Sequence, residues 1–485
     1  MTNPETLPIP EFYPQSENEI QTLLQDCIKK GLSVYPVSAG FNWGYGEKNP
    51  IRENSVILNL SKMNQILSFN QELGTIRIQP GVTQGDLAKY FEAHDLNYMI
   101  PNTGAGQRGS LLGNALERGF GIAPIHDHAE ALLNVRGIMA DGRVYESSLA
   151  EVSSLLADCF HWGVGPQLDK LVSQSSWLIV TEVTLQLEPK AECTDVLLFP
   201  IPDSELTASL LLVRDLMQKK SVHIGSVKVF HRKQVVQNQP AQLPLFVRYF
   251  GRSKYSWFFT LTLYSSKINR KTQIREIKKT FSKIKKGPVL LANYQFLSYF
   301  KAAIRLLPKG LTGNLLKMTE DLQSLVDLAN GRTSEVGYKA IDSQFSPGEG
   351  HLYDFKSQSN SNQFVWLSPL CPFEKNSIEK LYNLMSTIQK KNDFDLQTFT
   401  WTVLNQRCLA LVIPIKYLSS QESTFWDWYK KLHLEMKSHG FIPYRFHIHM
   451  MDFLKSELLP EHFKRVAKFE QAFDPKSQIL NGRYH

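Results

Sequence analysis

Ser38-Ala-Gly-Phe-Asn-Trp-Gly-Tyr-Gly46 is the stretch that decides how this chain folds. It follows the extended segment Leu32–Val37, and three of its nine residues are glycine. Glycine at this density costs conformational entropy, so it needs a reason, such as turns with positive φ or a close approach of the main chain to a ligand. Consecutive backbone N–H groups in such turns form a concave site for an anion, typically a phosphate or diphosphate. The stretch therefore predicts an anion-binding loop.

A second glycine-rich stretch, Gly104-Ala-Gly-Gln-Arg-Gly-Ser-Leu-Leu-Gly-Asn114, lies in the same first quarter of the chain. Two such loops favour a long ligand with a diphosphate in its middle, which we interpret as a flavin dinucleotide. The run Gly104–Gly109 also has the GxGxxG spacing of the Rossmann motif, which requires a preceding buried strand and a helix that opens on the glycines. Here it follows the turn-like Ile100-Pro-Asn102, and Gly113 would interrupt a helix, so a Rossmann fold is not predicted.

Length and composition set the class of protein. A chain of 485 residues predicts two or three domains, and 42% hydrophobic with 21% charged residues is ordinary for a soluble globular protein. Residues 1–8 have neither the basic nor the apolar region of a secretory signal, and no apolar run reaches the roughly 20 residues of a membrane span. The five cysteines are widely spaced and indicate neither a disulfide framework nor a CxxC metal site. We expect a cytoplasmic protein with no membrane partner.

A basic segment, residues 267–286, carries much of the formal net charge of +8. Its nine basic residues accompany one acidic residue, Glu276, and Ile274, Ile277 and Phe281 recur at helical spacing. The pattern predicts an amphipathic helix with a solvated basic face. A docking surface for an acidic carrier protein or for nucleic acid is the alternative, and no nucleic acid is expected as a partner.

Local signals in the first 189 residues indicate mixed strands and helices. Ser16–Glu19 and Thr83–Asp86 have the pattern of capping boxes at the start of helices. Asp141-Gly142 lies between two extended runs and predicts a hairpin. Strands are expected at 55–60, 75–79 and 176–187. The pattern is α+β rather than a regular βαβ repeat.

From about residue 190 the pattern changes to long strands that alternate with helices. Strands are predicted at 257–264, 364–368 and 409–414, and helices near 204–218, 267–283, 373–390, 419–438 and 459–470. Antiparallel strands with helices on one face predict a second, larger domain. The expected domains are 1–189, 190–455, and a C-terminal segment 456–485 that returns to the first domain.

The chain resembles the vanillyl-alcohol oxidase and p-cresol methylhydroxylase flavoproteins, in particular the branch that oxidises 4-substituted phenols. The resemblance covers nearly the whole chain. It is carried in order by Pro36–Gly46, Pro80–Thr83, Gly109–Gly121, Pro124–His128, Gly165–Asp169, Ser173–Ser175, Ile179–Thr181, Tyr444-Arg445 and Asp474–Tyr484. Each motif is weak alone, but the set in this order and spacing is specific.

The resemblance implies a two-subdomain FAD-binding domain of the p-cresol methylhydroxylase type and an α+β cap domain with a large antiparallel sheet. The residues it implies for FAD binding are Pro36, Ser38, Ala39, Gly40, Phe41, Asn42, Trp43, Gly44, Tyr45, Gly104, Gly109, Ser110, Gly113, Asn114, Gly119, Gly121, Ile179, Val180 and Arg483.

Four residues take catalytic roles by the same resemblance. Tyr45, Tyr444 and Arg445 match the trio that binds a substrate phenolate, and Asp127 matches an acidic residue near flavin N5. A guanidinium and two phenolic donors suit an oxyanion and would lower the pKa of a bound phenol. A phenolate eases departure of a hydride from the benzylic carbon to the flavin. Without the resemblance, Tyr444-Arg445 would be read as a strand end whose arginine pairs with a surface carboxylate.

Two departures from the family pattern affect the flavin. Covalent members attach the ring through a histidine or tyrosine of the cap domain, whereas the corresponding stretch here, Leu404–Leu409, has neither. Cys408 is the alternative attachment point, although such a cysteine is more often a small buried hydrophobic residue. Non-covalent FAD is therefore expected. Leu178 also stands where the family has glycine, which would alter the ring pocket.

Two pairs of histidines give a weaker indication, that of a metal site. His447-Ile-His449, predicted as a strand, would place two imidazoles on one face, as a metal site does. No third ligand is evident, and zinc sites need three or four, so no metal is expected. His126-Asp-His128 lies where the flavin site is expected.

These observations predict an FAD-dependent oxidoreductase that oxidises a para-substituted phenol, or a larger molecule bearing one, through a quinone methide. Oxygen or an electron-transfer partner would reoxidise the flavin, and a homodimer is expected by the resemblance. A flavin-dependent 2-hydroxy-acid dehydrogenase, with Arg445 on a carboxylate, is the first alternative. A basic binding protein with a vestigial flavin site is the second.

Overall fold

The computed structural model describes residues 9–104, 106–122, 124–232, 254–306, 309–334, 362–390, 394–396, 399–479 and 482–484. Ala105 of the second glycine loop and the N-terminal residues 1–8 therefore lie outside the described residues, as do parts of the predicted second domain and of the C-terminal motif.

A small parallel sheet begins the fold. Its strands are β1 Glu11–Phe12, β2 Ser33–Val37 and β3 Ser55–Asn59, in the order β1-β3-β2. Helix α1, Glu17–Lys30, begins at Ser16, whose side chain accepts from the Glu19 N–H, and ends at Gly31 in the left-handed region. The predicted cap and stop are confirmed. The sheet delivers the chain from Val37 into the first glycine loop.

A second sheet packs beside the first and has the order β4-β5-β9-β7-β8. Its strands are β4 Ile66–Asn70, β5 Thr75–Ile78, β7 Leu132–Met139, β8 Val144–Glu146 and β9 Leu178–Gln186, all antiparallel to their neighbours. A short pair, β6 Tyr98–Met99 with β10 Glu188–Pro189, lies apart from it. The Asp141-Gly142 hairpin is confirmed, with φ of Gly142 at 86°.

Three helices accompany this second sheet. They are α2 Gln84–Ala93, α3 Leu111–Leu116 and α4 Ser154–Cys159. The predicted capping box at Thr83 forms in full: its side chain accepts from the Asp86 N–H while Asp86 accepts from the Thr83 N–H. The two sheets make up the expected two-part domain, in which one apolar core lies between the five-stranded sheet and its helices and a second core lies between the two sheets.

The rest of the chain builds a nine-stranded sheet in the order β14-β11-β13-β12-β18-β19-β15, with β16 and β17 also paired to β19. The strands are β11 Cys193–Ile201, β12 His223–His231, β13 Trp257–Ser265, β14 Leu290–Ala292, β15 Asn362–Leu367, β16 Leu370–Pro372, β17 Asp395–Leu396, β18 Thr400–Asn405 and β19 Cys408–Leu418. Every pairing is antiparallel, so the predicted large antiparallel sheet is confirmed.

Helices cover one face of this sheet. They are α5 Leu206–Lys219, α6 Arg270–Thr280, α9 Lys375–Lys390 and α10 Glu422–Ser438. Buried side chains from all four share one core with the sheet. In α6, Ile277 is 1% exposed while its lysines face solvent, which confirms the predicted amphipathic helix.

Two further helices, α7 Tyr294–Ile304 and α8 Lys309–Ala329, were not predicted. The start of α8 contains Gly310, Thr312, Gly313 and Asn314, which are weak helix formers. Tertiary packing outweighs that propensity, because Leu322, Val326 and Ala329 are buried against β11 and α7.

The C-terminal helix α11, Pro460–Phe473, returns to the first part of the chain. Phe469 and Phe473 pack against the core of the five-stranded sheet, and Ile479 forms a parallel bridge with Val34 of β2. This supports the domain bounds 1–189, 190–455 and 456–485, which we retain as a proposal. Among the described residues, none of the helices has the length and apolarity needed to cross a bilayer.

Glu470 on α11 makes the stability of this contact dependent on pH. Its side chain is 6% exposed and accepts from Ser176 Oγ at 3.0 Å, and burial raises its pKa to about 7. The carboxyl of Glu470 holds its proton more tightly in the folded chain than in the unfolded chain. The free energy of unfolding should therefore be greatest below pH 4.5 and fall by about 2–3 kcal/mol as the pH rises to 7.

We expect Glu470→Gln to remove this decline, because the amide still accepts from Ser176 but does not ionise. Thermal midpoints measured between pH 5 and pH 8 check it. Glu461→Gln, on an exposed site of the same helix, is the control and should leave the decline unchanged. An E470Q variant with the wild-type pH slope would contradict the assignment.

Candidate active site

A cavity of about 510 Å³ lies between the part of the chain that carries the two glycine-rich loops and the large sheet. This volume is within the range of small-molecule and cofactor sites. Both glycine-rich loops line it, together with Leu178 and Val180 of β9, one face of the large sheet, and the C-terminal residues Arg483 and Tyr484. Elements from opposite ends of the sequence therefore meet at one site.

Positive φ angles shape the first glycine loop. The angles are 75° at Gly40, 72° at Gly44 and 106° at Gly46, a region that non-glycine residues rarely adopt. A Cβ at Gly44 would lie 2.7 Å from the Phe364 ring and 2.8 Å from Trp366, so the loop packs its backbone tightly against β15. This contact turns Tyr45, 5% exposed, into the cavity wall.

We expect Gly44→Ala to destabilise the protein by about 2–4 kcal/mol and to weaken FAD retention. Both the positive φ and the collision with Phe364 and Trp366 contribute to this cost. Gly142→Ala is the matched control, because Gly142 has φ of 86° and nothing within 4 Å of an added Cβ. Urea unfolding and flavin content after gel filtration check both variants. Equal effects of the two substitutions would show that packing against β15 does not hold the loop.

The second glycine loop converges on the first. Ser110 caps α3 by accepting from the Gly113 N–H, and a Cβ at Gly113 would lie 3.0 Å from Ser38 Oγ of the first loop. Ser38, Gly109, Ser110, Gly113 and Asn114 all line the cavity. The two loops thus leave room for a ligand between their backbones, as expected for a diphosphate cradle.

Tyr45, Tyr444 and Arg445 come together as predicted. The Arg445 guanidinium lies over the Tyr45 ring, 4.0 Å from its centroid, and Tyr444 packs edge-on to Phe120. All three line the cavity. Arg445 donates to Asn42 Oδ1 at 2.7 Å, while its buried Nε has no hydrogen-bond partner among the described residues. An oxyanion in the cavity would supply the missing acceptor.

Glu117 is a central residue that the sequence analysis missed. Its Oε1 accepts from Arg483 Nε at 2.8 Å, and its Oε2 lies 3.6 Å from Arg445. Burial acts to raise the pKa of this carboxyl, but the two guanidinium groups outweigh it and the pKa is lowered. Two buried cations around one carboxylate leave a net positive charge. Glu117 lies within the quoted motif Gly109–Gly121, where its sequence neighbours gave no sign of this role.

Burial keeps both tyrosines of the clamp protonated. It raises the pKa of Tyr45 and of Tyr444, although nearby Arg445 opposes the increase. Burial acts to lower the pKa of Arg445, but Tyr45 and Glu117 outweigh it and the pKa is raised. At neutral pH the clamp therefore presents two neutral O–H donors and one cation, which suits an anionic ligand.

Three predicted site residues do not line the cavity. Gly44 lies behind the loop, against Phe364 and Trp366. Ile179 is buried in the core of the small sheet, because alternation along β9 turns Leu178 and Val180 to the other face. Asp127 lies in a tight turn, where its carboxylate accepts from the Ala129 N–H at 3.0 Å. Burial raises the pKa of Asp127, and the charge of Asp127 in turn raises the pKa of Tyr444. All the other predicted residues line the cavity.

Of the residues expected to alter the flavin environment, some line the cavity and one lies outside it. Leu178 and Leu404 line the cavity, whereas Cys408 does not. Cys408 pairs with Pro372 and Asn405 at the far end of β19, and burial raises the pKa of its thiol, so it is a weak nucleophile. Asn114, a predicted cofactor residue, contacts His128 at the cavity wall.

The strand predicted at His447–His449 is wrong. Ile448–Met450 form a 3₁₀ turn, with His447 as its N-cap and the Ile448 N–H donating to Tyr45 O. The tertiary contact with the first loop, which periodicity cannot show, causes the turn. The two imidazoles still lie 5.0 Å apart and contact Trp426. Among the described residues, no three His, Cys, Asp or Glu side chains cluster as metal ligands do.

The face of the large sheet that lines the cavity is polar at one end and apolar at the other. Ser226, Lys228, Thr260, Thr262, Thr400 and Thr402 form the polar end, on β12, β13 and β18. Ala410, Val412, Pro414 and Trp366 form the apolar end, on β19 and β15. The sequence analysis gave no role to these residues, since each is an ordinary strand residue by pattern.

A family profile described as an FAD binding domain matches residues 9–148. Residues 9–148 are an FAD-binding domain. The geometry fits this cofactor, because two glycine loops converge and cations outnumber the carboxylate beside them. FAD as the predicted cofactor is thereby confirmed. When bound, it would be held by the Ser38–Tyr45 loop, the Gly109–Asn114 segment and Arg483.

Two solved structures share the whole fold. Both p-cresol methylhydroxylase with bound substrate and the 4-ethylphenol oxidase of Gulosibacter chungangensis align with a TM-score of 0.82 at 19% identity, over 98% of this chain and 88% of theirs. The predicted resemblance is thus confirmed for the FAD-binding domain and the fold.

Curated relatives match over shorter stretches. A 1'-carboxy-chondrochloren decarboxylase of Chondromyces crocatus is 32% identical over 42% of this chain and 38% of the relative. The flavoprotein subunit of the Pseudomonas putida 4-cresol dehydrogenase is 30% identical over 36% of this chain and 33% of its own length. The chain thus spans little more than a third of the curated relatives it matches.

Proposed function

We propose that this protein is an FAD-dependent oxidoreductase that oxidises a para-substituted phenol at the benzylic carbon. The observation that carries the proposal is the buried clamp of Tyr45, Tyr444 and Arg445, assembled at the cavity from opposite ends of the chain. Two of the similar proteins support this proposal, since one is a 4-cresol dehydrogenase and the other a 4-ethylphenol oxidase.

The clamp would bind the substrate as its phenolate. Arg445 contributes a permanent charge, its unpartnered Nε contributes a donor, and the two tyrosines contribute O–H donors. In a buried site, such donors favour the ionised form and lower the pKa of the bound phenol. A phenolate pushes electron density toward its para substituent, so the benzylic hydride leaves more easily.

Bound FAD supplies the acceptor for that hydride. Asp127 is the proposed base or electrostatic stabiliser, because it is within electrostatic reach of Tyr444 and burial raises its pKa. For direct contact with substrate, the Asp127 carboxylate would have to give up its hydrogen bond from the Ala129 N–H. The quinone methide formed would take up water, lose a proton to give an alkene, or lose carbon dioxide.

The same proposal includes an electron acceptor, a non-covalent flavin and protein partners. Oxygen or an electron-transfer protein would reoxidise the flavin, and the flavin would be non-covalent, since Cys408 lies off the cavity. The protein would be a cytoplasmic homodimer. The basic surface of α6 would be a docking site for an acidic carrier protein.

A 2-hydroxy-acid substrate is the second candidate. It is favoured by matches such as the Kluyveromyces lactis D-lactate dehydrogenase, 27% identical over 41% of this chain and 33% of the relative. Arg445 would then hold a carboxylate. Both clamp tyrosines are unnecessary for that chemistry, which makes the phenol the better substrate.

Anaerobic mixing with a panel of 4-alkylphenols and 2-hydroxy acids tests the proposal. We expect phenols, and not hydroxy acids, to bleach the visible flavin band. Titration of the ligand-induced flavin spectrum with pH should show ionisation of the bound phenol below pH 10. Bleaching by hydroxy acids alone would replace the proposal with the second candidate, and colourless protein without FAD affinity would indicate a vestigial site.

A further inference from the structure

Lys228 is a half-buried cation in the cavity wall that the proposed phenol oxidation does not use. It lies on β12, near the middle of the large sheet, and its side chain lines the cavity. Its backbone pairs with Thr260 on one side and Thr402 on the other, so two threonines flank it on the same face. A lysine rarely occupies such a position unless an anion pairs with it.

The structure provides no such anion. Among the described residues, no carboxylate lies within 4.0 Å of the Lys228 ammonium. Burial lowers the pKa of Lys228 to about 8, and no acidic group opposes this decrease. The titratable neighbour within electrostatic reach is His126, whose own pKa is lowered to about 4 by burial first and then by Lys228, so its imidazole is neutral at pH 7. At neutral pH Lys228 therefore remains a cation, and no carboxylate of the described residues compensates its charge.

The surroundings of Lys228 favour an anion rather than an apolar group. The hydroxyls of Ser226, Thr260, Thr262, Thr400 and Thr402 line the cavity around it. Hydroxyl groups can donate to carboxylate oxygens that an ammonium holds by charge. The Thr260 hydroxyl already donates its one O–H to the Lys228 carbonyl at 3.0 Å, so it fixes one wall of this end of the cavity and is not itself a donor to the ligand.

The position of Lys228 relative to the clamp sets the shape of a ligand. The clamp adjoins β15, because Trp366 N donates to Gly44 O of the first loop. From β15 to β12 there are three strand spacings, about 14 Å in total. Ala410, Val412 and Pro414 line the interval and are apolar. The wall is thus cationic at the clamp, apolar in the middle, and cationic again at Lys228.

We propose that Lys228 binds a carboxylate on the para side chain of the phenolic substrate, so that the preferred substrates are carboxylated phenols. This inference rests on the proposed function, because the clamp must hold the phenolate for the side chain to reach Lys228. The apolar strip between the two cationic ends would contact the carbon atoms between the two anionic groups.

A phenol without a benzylic hydrogen allows binding to be measured without turnover. The probe is 3-(4-hydroxyphenyl)-3-methylbutanoate, and its methyl ester is the neutral counterpart. Titration of the FAD-loaded protein, followed by the flavin spectrum, gives both dissociation constants. The variants are Lys228→Met, which removes the charge at similar length, Lys228→Arg, which keeps it, and Lys89→Met, which removes an exposed lysine.

We expect wild type and K89M to prefer the acid over the ester. K228M should weaken binding of the acid roughly ten- to a hundredfold and leave binding of the ester within twofold, while K228R retains most of the preference. Equal acid affinity in wild type and K228M would overturn the inference and leave the phenol proposal intact. Equal loss for acid and ester would overturn it too, and would place Lys228 at the cofactor. If neither probe binds wild type, the proposed function itself fails.

Discussion

Arg445→Met is expected to slow anaerobic reduction of the flavin by 4-alkylphenols by roughly 10²- to 10³-fold. Arg445 is the one cation of the clamp, and its buried Nε has no hydrogen-bond partner in the part of the chain that the structure describes. Loss of a preorganised donor to an oxyanion typically costs this much in rate. The bound phenol should also ionise at higher pH in the variant, because the cation that lowers its pKa is gone. Stopped-flow absorbance at the visible flavin band measures both effects.

Two further variants separate charge from geometry. Arg445→Lys keeps the charge but loses the planar donor set, so we expect a partial recovery of the rate. Arg52→Met removes an arginine whose side chain is 46% exposed and should react as wild type does. Reduction of R445M at the wild-type rate would remove the phenolate assignment, and with it the proposed substrate class.

Glu117→Ala is expected to destabilise the protein by about 3–5 kcal/mol. The carboxylate lies between Arg483 at 2.8 Å and Arg445 at 3.6 Å, and Arg483 is 3% exposed. Removing one partner of a buried ion pair leaves uncompensated charge, and here two guanidinium groups would repel each other. Arg483 would lose its carboxylate partner beside the clamp, while the hydrogen bond from the Phe446 N–H to Tyr484 would remain and limit the loss. Urea unfolding followed by tryptophan fluorescence measures the loss.

Glu117→Gln provides the comparison for this effect. It keeps an acceptor for Arg483 but not the charge, so its cost should lie between wild type and E117A. Glu151→Ala, at an exposed site, should change the free energy of unfolding by less than about 0.5 kcal/mol. An E117A variant as stable as E151A would show that the two arginines do not need the carboxylate.

Local rules predicted a large share of the fold. The caps at Ser16 and Thr83, the stop at Gly31 and the Asp141-Gly142 hairpin depend on a few adjacent residues, and all are confirmed. Helix α8 and the turn at Ile448–Met450 were missed, because their conformations depend on contacts with distant elements. In both cases tertiary packing outweighed local propensity.

The amino-acid sequence by itself determined the two glycine loops and the α+β class, because glycine conformations and local patterns are properties of short segments. The tyrosine–arginine trio was implied by the resemblance that the ordered motifs carry. The tertiary structure decided which charges meet. Glu117 pairs with Arg445 and Arg483 from the far end of the chain, and Lys228 faces a cavity that exists once the large sheet covers the FAD-binding domain. Electrostatic partners are set by distance in space and by burial, neither of which can be read from separation along the chain.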